Sequence, residues 1–143
     1  MTPAALPRVL SLALLLTVGV GPVAAEHEIY YRYIVLGYAK DARDRPLAGR
    51  AVEVVRDKTG FSYLTETDDQ GFFLVVVRLG DESAGERLTL RIGGERTQII
   101  ARFHPANHAD DRGTRVDLEA TRFVERNGAF PTTLGEFLRA PGR

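Results

Sequence analysis

The stretch Arg87-Leu88-Thr89-Leu90-Arg91-Ile92-Gly93-Gly94-Glu95-Arg96-Thr97-Gln98-Ile99-Ile100-Ala101-Arg102-Phe103 decides the fold class. Leu88, Leu90 and Ile92 alternate with Arg87, Thr89 and Arg91, which gives a pleated strand one dry face and one wet face. Gly93-Gly94 accepts the positive φ angles of a two-residue hairpin turn, and Thr97 to Phe103 returns with its own alternation. An antiparallel β-hairpin follows.

The same pattern extends in both directions. Tyr30–Ala39, Ala51–Val55, Phe61–Glu66 and Phe72–Leu79 read as strands rich in aromatic and branched residues. Asp41–Pro46, Lys58-Thr59-Gly60 and Asp68-Asp69-Gln70-Gly71 supply turn chemistry between them. Gly80–Glu86 is a charged loop, and after the loop His104–Gly113 a last strand places Val116 and Leu118 between Arg115, Asp117 and Glu119. Seven strands at spacings of about 8–12 residues predict an all-β, seven-stranded antiparallel sandwich over residues 26–119. Val54, Phe73, Val75, Leu90 and Val116 are its expected core. Residues 120–143 form a C-terminal tail. There Thr133 and Glu136 have capping-box spacing, and Leu134, Phe137 and Leu138 follow a helical period, so one or two helical turns are expected.

Three motifs carry a resemblance. Val35-x-Gly37-x-Ala39, then Pro46-Leu47-Ala48-Gly49-Arg50-Ala51-x-Glu53-Val54, then Thr67-Asp68-Asp69-Gln70-Gly71-x-Phe73 resemble the carboxypeptidase regulatory-like domain, an immunoglobulin-like or transthyretin-like sandwich of seven strands. The resemblance covers about residues 33–77. It implies that Phe73 points into the core, and that the domain serves as an accessory or binding module.

Residues 1–25 read as an export signal. Arg8 precedes an apolar run from Val9 to Val20, Gly21-Pro22 breaks it, and Val23-Ala24-Ala25 puts small residues at the −3 and −1 positions of a signal-peptidase site. The run is short of the ~20 residues that span a bilayer, so no membrane span is expected after cleavage. A periplasmic or secreted location follows. The chain has 19 basic and 19 acidic residues, and cleavage removes only Arg8 from that balance. A nearly neutral domain has no electrostatic reason to coat nucleic acid. Cysteine is absent, which excludes both disulfides and a lipid-bearing cysteine.

No catalytic constellation is legible. Ser62 and Ser83 lie outside any Gly-x-Ser-x-Gly elbow, and the chain ends Arg139-Ala140-Pro141-Gly142-Arg143 rather than in the Tyr-Arg-Gly-Ser of look-alike hydrolases. The sequence thus reads as a non-enzymatic chain without a cofactor. His104 and His108, with Asp110 and Asp111 nearby and His27 near the mature N-terminus, are candidate metal ligands. They lack a third ligand at a fixed short spacing.

The strongest candidate surface comes from strand alternation. If Phe73, Val75 and Val77 face inward, then Phe72, Leu74 and Val76 face outward, and in the first strand Ile34, Leu36 and Tyr38 do the same. Two apolar outer stripes need a cover, either the tail with Phe123, Phe130, Phe137 and Leu138 or a foreign partner. The leading expectation is an exported module docking another envelope protein or ligand through Ile34, Leu36, Tyr38, Phe72, Leu74 and Val76. A periplasmic metal-handling protein using His104 and His108, and a small carbohydrate- or peptide-binding domain, are the alternatives.

Overall fold

The computed structural model describes residues 31–141, with Ala4 the one described position before them. The export signal, its cleavage site and His27 lie outside the described residues. All seven expected strands form: β1 (Tyr31–Lys40), β2 (Ala51–Arg56), β3 (Ser62–Glu66), β4 (Phe72–Leu79), β5 (Arg87–Ile92), β6 (Glu95–Ile100) and β7 (Arg112–Glu119). An eighth, β8 (Arg122–Glu125), and one helix, α1 (Phe130–Arg139), come from the tail. The strands form two four-stranded sheets, ordered β4-β1-β7-β8 and β3-β2-β5-β6, packed as a β-sandwich.

Two details correct the sequence reading. β1 and β7 run parallel, with Tyr33 opposite Arg112 and Leu36 opposite Arg115, so the sandwich is not purely antiparallel. Parallel neighbours need a long crossover, and here the whole second sheet intervenes between them. The tail is also part of the packed unit. Ala120 takes a positive φ of 59°, and this tight turn folds Arg122–Glu125 back onto β7.

The motif glycines have a mechanical cause. A Cβ on Gly37 would sit 1.8 Å from the Val116 carbonyl oxygen, so β1 approaches β7 more closely than a side chain permits. Beside it the backbone ladder is interrupted, and the Tyr38 N–H donates to Asp117 Oδ1 at 2.9 Å instead. Gly71 combines a φ of 76° with a backbone contact to Ala39, whose N–H donates to the Gly71 carbonyl.

The alternation assigned from sequence holds in the core. Val54, Phe73, Val75, Leu90 and Val116 are all buried in the cluster between the sheets, with Tyr33, Leu88 and Ile99. The second sheet's outer face is polar, as its alternation demands: Arg91 pairs with Glu53, and Thr89 donates to Asp57. The first sheet's outer face is apolar, and α1 lies on it. Phe130 and Leu134 join Ile34, Leu36 and Phe72 in a second buried cluster, with Phe137 stacked 5.3 Å from Phe72.

The helix starts earlier than the Thr133–Glu136 spacing predicts. Pro131 lies in its first turn, where a missing N–H costs nothing. Thr133 is therefore inside the helix. Its hydroxyl donates to the Ala129 carbonyl at 2.8 Å and accepts from Arg115 Nη1 at 3.1 Å.

Phe73→Ala should cost about 3–5 kcal/mol in chemical denaturation, as truncation of buried aromatics does. Leu64→Ala, at a side chain 73 % exposed, should stay within about 0.5 kcal/mol. Equal effects at the two sites would mean that the inward and outward faces are assigned wrongly.

Candidate functional site

The six residues expected to form a docking stripe divide into two groups. Ile34, Leu36 and Phe72 are buried under α1, and Tyr38 and Leu74 are partly covered. This corrects the expectation of an open stripe: the chain's own tail covers it, because the face is too apolar to stay wet. Val76 alone of the six remains open, at 38 % exposure.

Val76 borders a groove. β3 and β4 are the outer strands of their sheets on the same side of the sandwich, and between them Arg56, Thr59, Phe61, Tyr63, Val76 and Arg78 line a cavity of about 600 Å³. Phe61 is 63 % exposed and its ring lies 5.5 Å from that of Tyr63. Arg56 is held in place, its Nε and Nη2 donating to Glu86 at 2.7 and 2.9 Å, which keeps the Glu86 carboxyl below its usual range. Leu64, on the opposite face of β3, is 73 % exposed and does not line the groove.

The histidine loop holds a different arrangement. His108 Nε2 meets Asp81 Oδ2 at 2.8 Å, and its ring stacks on Tyr31 with centroids 4.5 Å apart. Arg112 Nη2 donates to Asp81 Oδ1 at 3.0 Å and to the carbonyls of Pro105 and Asn107. Its guanidinium lies over Tyr31 and Phe103, at 4.7 and 4.2 Å from the ring centroids, which offsets part of the cost of burying the charge. Desolvation pushes the Asp81 carboxyl up, but hydrogen bonds from His108 and Arg112 outweigh it and hold the group below 3.8. His104 is exposed and its Nδ1 accepts the Ala106 N–H. Among the described residues no group of three or more His, Cys, Asp or Glu side chains could hold a metal ion, so the alternative reading of His104 and His108 as ligands has no support. The loop is tied down by Asp81 instead.

No family model and no curated protein matches the sequence. Among solved structures, that of 5-hydroxyisourate hydrolase from Klebsiella pneumoniae is similar at 15% sequence identity and a TM-score of 0.44, covering 67% of this chain and 98% of that one. That neighbour is an enzyme, and this overturns the expectation that the chain is to be read as non-enzymatic. A likeness of this size assigns no activity or substrate to the present chain. The resemblance to the carboxypeptidase regulatory-like domain stays a likeness of short motifs, and the sandwich rests on the chain's own strand topology.

Asp81→Asn should release the loop at 104–111 without disturbing the core. Amides of that loop should exchange with solvent faster, while those of β2 and β5 keep their protection. Because the folded pKa of Asp81 is depressed, its hold on the loop is present above the usual carboxylate range and fades as pH falls through the folded value. The protection factors of the wild-type loop, corrected for the intrinsic pH dependence of amide exchange, should therefore fall as the pH is lowered below the ordinary aspartate range. Unchanged loop exchange in the variant would contradict this role for Asp81.

Proposed function

We propose that the chain is an exported accessory module that docks another envelope protein through the groove between β3 and β4. The observation that carries the reading is this groove, where Phe61 and Val76 stay exposed although the rest of the outer apolar stripe is covered by α1. Large apolar side chains gathered in one open concavity mark an interaction site more often than isolated ones do. The leader-like residues 1–25 support a periplasmic or secreted location.

The chain, tagged at its C-terminus and expressed in its native host, should have an intact mass that starts at Glu26. Chemical cross-linking should capture a discrete envelope protein. Phe61→Asp combined with Val76→Asp should abolish that capture while leaving the melting curve in place. Capture that survives the double substitution would refute the groove as the docking surface, and an intact mass that includes residues 1–25 would refute export with cleavage.

A further inference from the structure

The groove's rim carries an arrangement that the fold itself does not explain. Arg32 on β1 and Arg78 on β4 are directly opposite each other in the antiparallel ladder, and both are exposed. Like charges in directly opposed positions destabilise a sheet. The other directly opposed arginine pair, Arg91 and Arg96 across β5 and β6, is relieved by Glu53, which pairs with Arg91. Among the described residues neither Arg32 nor Arg78 has an ion pair or a side-chain hydrogen bond. Two uncompensated guanidinium groups on neighbouring strands are placed to receive an anion from outside the described residues.

The surroundings define what bears that anion. Arg78 lines the groove, and Val76 lies two residues before it on the same face of β4. That separation, about 6.6–6.8 Å along an extended strand, equals the spacing of alternate side chains on any strand laid beside it. β4 has no strand on its outer side, so its free backbone edge is a template for one more. The helix α1 covers the Phe72 end of β4, whereas Val76 and Arg78 are exposed.

We propose that the docking partner supplies an extended segment that adds to the free edge of β4, with a carboxylate side chain on Arg32 and Arg78 and an apolar side chain two residues away in the Phe61–Tyr63–Val76 groove. The inference rests on the groove reading above and deepens it. Backbone pairing at the sheet edge supplies affinity, and the carboxylate fixes the register. A neutral or basic strand would leave the two arginines facing each other.

The probe is an acetylated, amidated eight-residue peptide of alternating Val and Glu, with its Val/Lys counterpart, titrated by fluorescence anisotropy against the exported full chain. The Val/Glu peptide should bind, and the Val/Lys peptide should bind at least about tenfold more weakly. Raised salt should weaken the Val/Glu complex. Arg32→Glu with Arg78→Glu should reverse the preference between the two peptides. Arg78→Gln should weaken binding without lowering the melting temperature, because it relieves the like-charge pair. N-methylation of alternate amides in the Val/Glu peptide should abolish binding if its backbone pairs with β4. A wild-type chain that ignores the Val/Glu peptide, or that binds it equally after charge reversal, overturns the inference. If Glu26→Gln with Glu28→Gln strengthens peptide binding at least about tenfold, the chain's own acids occupy the arginines, and a partner's carboxylate is the wrong assignment. Loss of the cross-linked partner in the Phe61→Asp, Val76→Asp variant, together with an inert Val/Glu peptide, would leave the groove reading standing and remove only the acidic strand.

Discussion

Strands β1 and β4 carry apolar side chains on both faces, and a strand can turn only alternate residues toward one core. Phe73, Val75 and Val77 are buried between the sheets, so Phe72 and Leu74 must find a second cover, as must Ile34 and Leu36 on the neighbouring strand. Leaving such side chains wet forgoes roughly 1.5–3 kcal/mol each, against a typical domain stability of about 5–15 kcal/mol. The helix α1 meets that demand with Phe130, Leu134 and Phe137. Its position is fixed from the sheet side as well. Arg115 binds Asp117 and reaches up to Thr133, while Asp117 also accepts the Tyr38 N–H and a hydrogen bond from Arg126. A single buried carboxylate thus ties β1 and β7 to the segment that leads into the helix.

The sandwich was legible because alternation is a local signal. Leu88, Leu90 and Ile92 state their facing within six residues, and the core list drawn from such patterns proved buried throughout. The parallel pairing of β1 with β7 was not legible, since strand order depends on contacts between residues nearly eighty positions apart. Asp117 gave no sign of its role either. A carboxylate that alternates with Val116 and Leu118 reads as a wet residue, and only the interrupted ladder beside Gly37 turns it into a backbone acceptor. Thr133 looked like a cap because the spacing to Glu136 fits one, but Pro131 and the burial of Phe130 set the helix start earlier.

The candidate surface was half legible. Alternation correctly named the outward residues, but it could not say which of them the tail would reach. Burial of Ile34, Leu36 and Phe72 leaves Val76 as the most exposed member of the six, and Val76 belongs with Phe61 and Tyr63 from the other sheet. The helix therefore defines the docking groove by where it stops. The histidine loop shows the reverse case: His108, which has the look of a ligand, is engaged by Asp81 from the distant Gly80–Glu86 segment, and His104 accepts only a neighbouring backbone N–H.

The cover provided by α1 is the claim on which the remaining assignments depend, and truncation after Arg126 tests it most directly. The shortened chain keeps all eight strands and loses only the helix and its lead-in. It should bind a hydrophobic dye, lose several kcal/mol of stability, about what exposing Ile34, Leu36 and Phe72 implies, and exchange the β1 and β4 amides faster. A truncated chain as stable as the intact one and blind to the dye would contradict the cover by α1.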